Sequence, residues 1–255
     1  MKAIILAAGY STRLSPLTDH TPKPLLPFGP KTILDFILER ILKLSDLDQI
    51  IIVVNSKFYS QFIEWRNQLS PMILGDRSIV LLNDGTFTNE TRLGAVGGIC
   101  LALDKIGYEN DALIVAGDNV FEGDLQALVN LRIRHEASVI GIHKFPNLEE
   151  VRKKFGVVTL DSDNRVKEFE EKPEAPKSSL AATAIYMVRR EDLKHITALY
   201  QSPHSGELNA GCIVSELLAR GERIYCVDIP SWFDIGTQED LAKAKNQFES
   251  RLFTK

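Results

Sequence analysis

Short apolar runs and helical periods alternate along the first half of the chain, and this alternation narrows the fold more than any other feature. Apolar residues fill positions 3–6, 50–54, 79–82 and 113–116 almost without a break. Between them, segments 33–44, 58–69 and 99–106 space their apolar residues at the helical period. Strands separated by helix-length segments build βαβ units and a mostly parallel sheet. Pro71 is expected to end the second helix, and Gly94, Gly97 and Gly98 to open the third, where backbone can approach a ligand. A helix over 125–135 and a strand over 137–142 follow, and the pattern then turns β-rich at 156–160, 165–170 and 182–188, which reads as a small lobe laid over the first half. The last third is expected to be a helix at 205–219, a strand at 224–229, the segment 231–236 and a closing helix from 238 to about 249. All 255 residues form one continuous unit on this pattern, without internal repeats. Open α/β sheets bind ligands beyond the carboxyl ends of their strands, so each strand exit is a place to look for chemistry.

The first exit is the loop LAAGYSTRLSPLTDHTPKPLLPFG, residues 6–29, which is long for a compact domain. It lacks the spacing of a P-loop or of a dinucleotide fingerprint. Gly9, Ser11 and Thr12 can nevertheless offer backbone N–H groups and hydroxyls to a phosphate, with the Arg13 guanidinium beside them. Lys23 lies between Pro22 and Pro24, which restrict its backbone. A phosphate site competes here with a surface loop carrying solvated cations. Overall charge favours a local cluster: a formal net charge of -4 and pI near 5.8 argue against a general nucleic-acid binder.

Two aspartates follow apolar strand-like segments. Asp118 leaves the 113–116 run, where a carboxylate serves either as a structural cap or as a ligand for a hard cation. Asp234 sits in the segment WFDIGT just before the closing helix, and Thr237, with Asp240 three residues on, is the better N-cap, which leaves Asp234 free for a metal. The run Glu168, Glu170, Glu171, Lys172 reads by itself as a solvated face. Cys100, Cys212 and Cys226 are widely spaced and odd in number, so free thiols are expected. The five histidines are scattered and read as surface or core residues. No apolar run approaches the ~18 residues of a membrane span, and the first residues lack the pattern of a secretory signal. A cytoplasmic protein without membrane or nucleic-acid partners is expected.

Taken together, the segments 9–14 and PKPLLP (22–27), GDN (117–119), FGVV (155–158), EEKP (170–173) and WFDIGT (232–237) occur in the order and spacing of the sugar-1-phosphate nucleotidyltransferases, which the whole chain resembles. The resemblance is nearest to the glucose-1-phosphate thymidylyltransferases. It implies an α/β fold, a three-layer Rossmann-like open mixed sheet of the nucleotidyltransferase or GT-A-like kind, with a small β-rich sugar-binding lobe. The implied division is a nucleotide-binding part at about 1–145, the sugar-binding lobe at about 146–235 and a C-terminal helix at 236–255. It further implies transfer of a nucleotidyl group from a nucleoside triphosphate, dTTP or UTP favoured, to a sugar 1-phosphate, with Mg²⁺ as cofactor and a homo-oligomer as a common assembly.

Carried over residue by residue, the resemblance assigns the nucleotide to Leu6, Ala7, Ala8, Gly9, Ser11, Thr12 and Arg13, with Asn83 and Gly94 at the base. Lys23 would meet the reacting phosphates, and Asp118 and Asp234 would hold Mg²⁺. Lys172 would grip the phosphate of the sugar, with Asn119, Gly156, Glu171, Thr183 and Trp232 around the sugar itself. In-line attack of one phosphate on another needs positioning and charge neutralisation rather than a general base, which accords with the lack of a standout histidine. The chain departs from the family at Ser11, where glycine is common, at Pro24, where thymidylyltransferases carry Gln, and in the long segment NDGTFTNETRL (83–93). A left-handed β-helix does not follow the closing helix, so acetyl transfer is not expected. The alternatives are a catalytically silent regulatory paralogue, disfavoured because Arg13, Lys23 and both aspartates are present, and a GT-A-type glycosyltransferase, disfavoured because GDN replaces Asp-x-Asp.

Overall fold

The computed structural model describes residues 1–204 and 206–252. β1 (Lys2–Leu6) leads through the long loop to the paired two-residue strands β2 (Pro27–Phe28) and β3 (Lys31–Thr32) and into α1 (Ile33–Ile41). Then come β4 (Gln49–Val54), α2 (Tyr59–Gln68), the four-residue α3 (Pro71–Leu74) and β5 (Ser78–Asn83). α4 (Gly94–Ile106), β6 (Ala112–Ala116), β7 (Asn119–Glu122) and α5 (Leu125–His135) complete the first half. The second half runs through β8 (Ser138–Lys144), β9 (Gly156–Leu160), β10 (Val166–Glu171) and β11 (Leu180–Val188) to α6 (Arg190–Gln201) and α7 (Gly211–Ala219). It closes with β12 (Ile224–Asp228), β13 (Ser231–Asp234) and α8 (Gln238–Leu252).

Nine strands form one mixed sheet in the order β10-β9-β11-β6-β1-β4-β5, with β8 pairing β11 and β12 pairing β8. The βαβ part is parallel, β1 lying between β6 and β4. β11 enters antiparallel to β6, and the β-rich stretch extends the main sheet through it. Alternate strand residues face opposite sides. Ala3, Ile5, Ile50 and Ile52 pack with α1, α2, α5 and α8 on one face. Ile4, Ile51 and Val53 pack with α4, α6 and α7 on the other, so three layers form.

α6 was not anticipated from the sequence pattern, although Leu193, Ile196 and Tyr200 repeat at helical spacing and Glu191 and Asp192 sit in its first turn. The helix expected at 205–219 begins only at Gly211. α4 begins five residues before the periodic segment 99–106, and here the expectation for its glycines needs correction. A Cβ on Gly97 would lie 2.9 Å from the Tyr200 ring, and one on Gly98 would touch Leu6 and Val53, so both let α4 settle onto α6 and the sheet rather than onto a ligand. The three cysteines are free. Burial pushes the Cys226 thiol up to about 12 and the Cys100 thiol up to about 11, which leaves neither a ready nucleophile. Among the described residues, no helix is long and apolar enough to cross a membrane.

Candidate active site

Hydrogen bonds from both sides fix the chain as it leaves β1. Gly117 N donates to Leu6 O at 2.9 Å, Ala7 N to Val53 O at 2.8 Å and Asn55 Nδ2 to Ala8 O at 3.0 Å. Gly9 then faces open space. Ser11 takes a left-handed conformation, φ 49 and ψ 40, so the loop keeps a glycine path without the glycine, at a cost of roughly 1–2 kcal/mol. Its carbonyl accepts from Thr18 Oγ1 at 2.9 Å. The turn Thr12–Leu14 buries Leu14 and exposes Arg13, whose guanidinium comes within 4 Å of a Cβ built on Gly236. A second such turn, Lys23–Leu25, starts between the two prolines and buries Lys23. Lys23 Nζ lies 2.7 Å from Asp118 Oδ2, with the lysine side chain 8% exposed.

The two aspartates meet through the small β7–β13 sheet. Asp234 pairs with Asn119 in its register, and Ile235 N donates to Asp118 O at 3.2 Å. Burial and the neighbouring Asp118 charge push the Asp234 carboxyl up to about 6, against the pull of Lys23 and Arg13. Thr237 and Asp240 form the reciprocal cap of α8: Asp240 N donates to Thr237 Oγ1 at 3.2 Å and Thr237 Oγ1 to Asp240 Oδ2 at 2.8 Å. Asp234 is therefore not needed as the helix cap. Two hard carboxylates brought together at a cost, next to cations, are a donor set that suits Mg²⁺.

β11 shapes the rest of the site. Leu180 and Ala181 pair with β9, whereas Ile185 to Val188 pair with β6. Ala182, Thr183 and Ala184 fall between those partners, Ala184 at φ 55, and line a cleft of about 1030 Å³. Arg13, Asp118, Asn119 and Asp234 line the same cleft, as do Gly156, Glu171, Lys172 and Trp232. Asn119 is buried and donates to Thr183 O, while Thr183 Oγ1 donates to Gly141 O at 2.8 Å and keeps its lone pairs as acceptors. Burial raises the Glu171 carboxyl above the usual range, countered by Lys172, 3.8 Å away, and by a hydrogen bond from Asn209. A Cβ on Gly156 would strike the Phe169 ring and one on Gly211 would strike Glu171 Oε2 and the same ring, so the two glycines make room for Phe169 and, at Gly211, for the Glu171 carboxylate.

Of the anticipated residues, Leu6, Ala7, Ala8, Gly9, Ser11, Thr12, Lys23, Asn83 and Gly94 are not among those lining this cleft. Thr12 lines a second cavity of about 450 Å³. Asn83 closes β5, its side-chain oxygen accepting from Ser56 Oγ at 2.8 Å and Gly85 N at 2.9 Å. Gly94, at φ 74, begins α4, where a side chain would strike Glu207. Other cleft residues were not foreseen. Asn209 falls where a helix was expected, and His143, read as a surface or core residue, lines the cleft with Nδ1 2.7 Å from Ile229 O. That carbonyl can only accept, so the proton is on Nδ1 and Nε2 is the atom left for other partners. Phe145 and Phe155 stack at 5.3 Å, with Trp232 edge-on to Phe155 at 5.1 Å, as an aromatic wall. Phe155 stands inside the FGVV segment, so a signal for it existed; nothing in the local pattern marks Asn209.

These elements make a three-layer α/β protein built on a mixed sheet, with a cleft in which Arg13, Asp118 and Asp234 come together. The family model of the nucleotidyl transferases matches residues 2–251. The chain belongs to that family, and the resemblance to the sugar-1-phosphate nucleotidyltransferases is borne out. It is 30% identical over its whole length to the bifunctional protein GlmU of Methanococcus aeolicus and 29% identical to that of Methanocaldococcus jannaschii, covering 56% of each. The chain thus spans little more than half the length of these curated relatives. Among solved structures, a candidate glucose-1-phosphate thymidylyltransferase of Bacillus anthracis, crystallised with sucrose, aligns with a TM-score of 0.84 at 26% identity, over 100% of this chain and 98% of that one. A UDP-glucose pyrophosphorylase bound to UDP-glucose shares the fold, with a TM-score of 0.80 at 21% identity over 98% of both chains.

Proposed function

We propose that the protein transfers a nucleotidyl group from a nucleoside triphosphate, dTTP or UTP in preference, to a sugar 1-phosphate, releasing pyrophosphate. The observation that carries this is the single cleft in which Arg13, Asp118, Asp234 and Lys172 converge, with buried Lys23 bonded to Asp118. A Mg²⁺ ion held by Asp118 and Asp234 would neutralise charge on the phosphates. Arg13 and the Gly9–Thr12 backbone orient the triphosphate. Lys23, tied to Asp118 in the free protein, turns its ammonium to the reacting phosphate when the nucleotide arrives. Lys172 places the sugar phosphate, and Glu171, Gly156 and Thr183 position the sugar hydroxyls. Holding the two phosphates in line and balancing the charge on the equatorial oxygens accounts for the rate without a general base.

Along segment 83–94, backbone groups and the Asn83 amide read the edge of a pyrimidine. Uracil and thymine differ by a methyl group, which is worth about two orders of magnitude at most, whereas cytosine leaves buried polar groups unpaired. The test is pyrophosphate release with dTTP, UTP, CTP, ATP and GTP against a panel of sugar 1-phosphates in Mg²⁺. Turnover with dTTP and UTP above the other three is expected. No release from any pair would overturn the activity, and a preference for ATP, GTP or CTP would overturn only the base reading.

A further inference from the structure

His143 lines the cleft that Glu171, Lys172, Thr183 and Trp232 also line, yet the roles proposed above leave it without a task. It stands on β8 opposite Ala181 of β11, and its ring is held from three sides. Nδ1 donates to Ile229 O at 2.7 Å, and that residue is fixed in turn, because Ile229 N donates to Ile142 O at 2.7 Å. The Phe145 ring stands edge-on to the imidazole at 4.9 Å and 84°, and Trp232 lies against it at 6.1 Å. These contacts set both the tautomer and the plane of the ring. Nε2 is therefore a neutral acceptor in a known place. His143 is half-buried, and among the described residues nothing bonds to that nitrogen. Joining β8 to the end of β12 takes one nitrogen of the ring; the other is spare.

We infer that Nε2 of His143 accepts a hydrogen bond from one hydroxyl of the sugar, and that the protein thereby selects sugar 1-phosphates bearing that hydroxyl over their deoxy counterparts. The inference rests on the nucleotidyltransferase reading and adds a specificity-determining residue to it. Phosphate, carboxylate and carbonyl oxygens carry no proton to give to Nε2, so its partner is a hydroxyl rather than an anionic group. The stacked Phe145 and Phe155 beside it offer an apolar side for the C–H face of a sugar. In a cleft walled by aromatic rings, a few fixed polar atoms decide how the ligand is oriented.

The test is a cycle between protein and substrate. Pyrophosphate release is measured for wild type and His143→Asn with the hexose 1-phosphate that wild type uses best and with each of its monodeoxy analogues, at saturating nucleotide and Mg²⁺. Asn keeps an N–H close to where Nδ1 stands and has no atom at Nε2, so the bond to Ile229 O is retained and only the spare acceptor is lost. One deoxy analogue is expected to lower kcat/KM about tenfold in wild type, the worth of one neutral hydrogen bond, and to be used as well as its parent by His143→Asn. Penalties for the other hydroxyls, the nucleotide KM and the melting temperature should stay as in wild type. A variant that lowers kcat/KM for the parent and every analogue by one common factor, or that leaves the parent unaffected, would overturn the inference while the proposed activity stands. Wild-type use of every analogue within about twofold of the parent would overturn it without any variant. Wild-type protein that releases no pyrophosphate from any pair of substrates would overturn both.

Discussion

Two acidic clusters with cations beside them, one around Asp192 and one around Asp118 and Asp234, differ in how fully the fold neutralises them. Asp192, His195 and Glu222 place one ligand atom each within 4.8 Å of one another, which resembles a metal site. Arg189 fills it: its Nη2 lies 2.8 Å from Asp192 Oδ1 and also contacts Glu222, while Ser138 Oγ donates to Asp192 Oδ2 at 2.6 Å. At the other cluster one lysine, Lys23, bonds to Asp118, and Asp234 is left with its carboxyl pushed up to about 6. Acids matched by the fold's own cations hold structure together. Acids that the fold brings together and balances only in part suit an added cation.

Four measurements can break or sharpen that contrast. The largest effect should be on turnover: Asp118→Asn is expected to lower kcat by about a thousandfold or more, since it removes charge and a hard ligand while keeping volume, with the melting temperature held within a few degrees. Near-normal pyrophosphate release would remove Asp118 from the chemistry. The next falls on stability at the other cluster. Arg189→Met leaves Asp192, fully buried, without its cation and should cost about 3–5 kcal/mol in urea unfolding, with both KM values unchanged in the protein that remains folded. A loss under about 1 kcal/mol would mean that the two clusters do not differ as described.

A third effect is smaller and opposite in sign. The Asp234 carboxyl titrates higher in the folded chain than its ordinary value of 3.8, so its ionisation opposes folding: stability falls as pH rises through that interval and the penalty is complete above about 6. Asp234→Asn should therefore stabilise the metal-free protein at pH 8 by about 1–3 kcal/mol, with the gain gone near pH 4. Thermal unfolding in EDTA at the two pH values decides it, and equal gains at both would rule out the titration. The smallest effect concerns an exposed charge. Lys172, 57% exposed, should on replacement by Ala raise the sugar 1-phosphate KM about tenfold and leave nucleotide KM and stability alone, as an exposed pair contributes little to folding. Equal increases in both KM values would show that the phosphates are not divided between Arg13 and Lys172.

Legibility followed the range of the interactions. The strands β1, β4 and β6 were readable because each is buried on both faces and therefore written in uninterrupted apolar residues, and β5, a half-buried strand at the sheet edge, was readable from its own apolar run at 79–82. Thr237 was readable as a cap because its partner is three residues away. α6 escaped notice between a β-rich stretch and a polar loop despite its periodic residues. The start of α7 was placed too early although two residues common at helix boundaries precede it, Gly206 at φ 84 and Asn209, whose Oδ1 accepts from Cys212 N at 3.3 Å. Gly97 and Gly98 looked like a ligand loop because the residues they pack against, Tyr200 of α6 for Gly97 and Leu6 and Val53 of the sheet for Gly98, lie far away in the chain.

By itself the sequence determined the βαβ order, the anion-accepting composition of the loop after β1, and the set of acids and cations that phosphate transfer needs, because strand burial, turn chemistry and charge are properties of neighbouring residues. Only the tertiary structure decided which charges meet. Lys23 reaches Asp118 across 95 positions, and the β7–β13 pairing brings Asp234 beside it. It also decided that Asn209 and His143 enter the cleft. The physical reason is that burial and electrostatic coupling depend on distance through space, and in a sheet whose neighbours are so far apart in the chain that distance is set by topology.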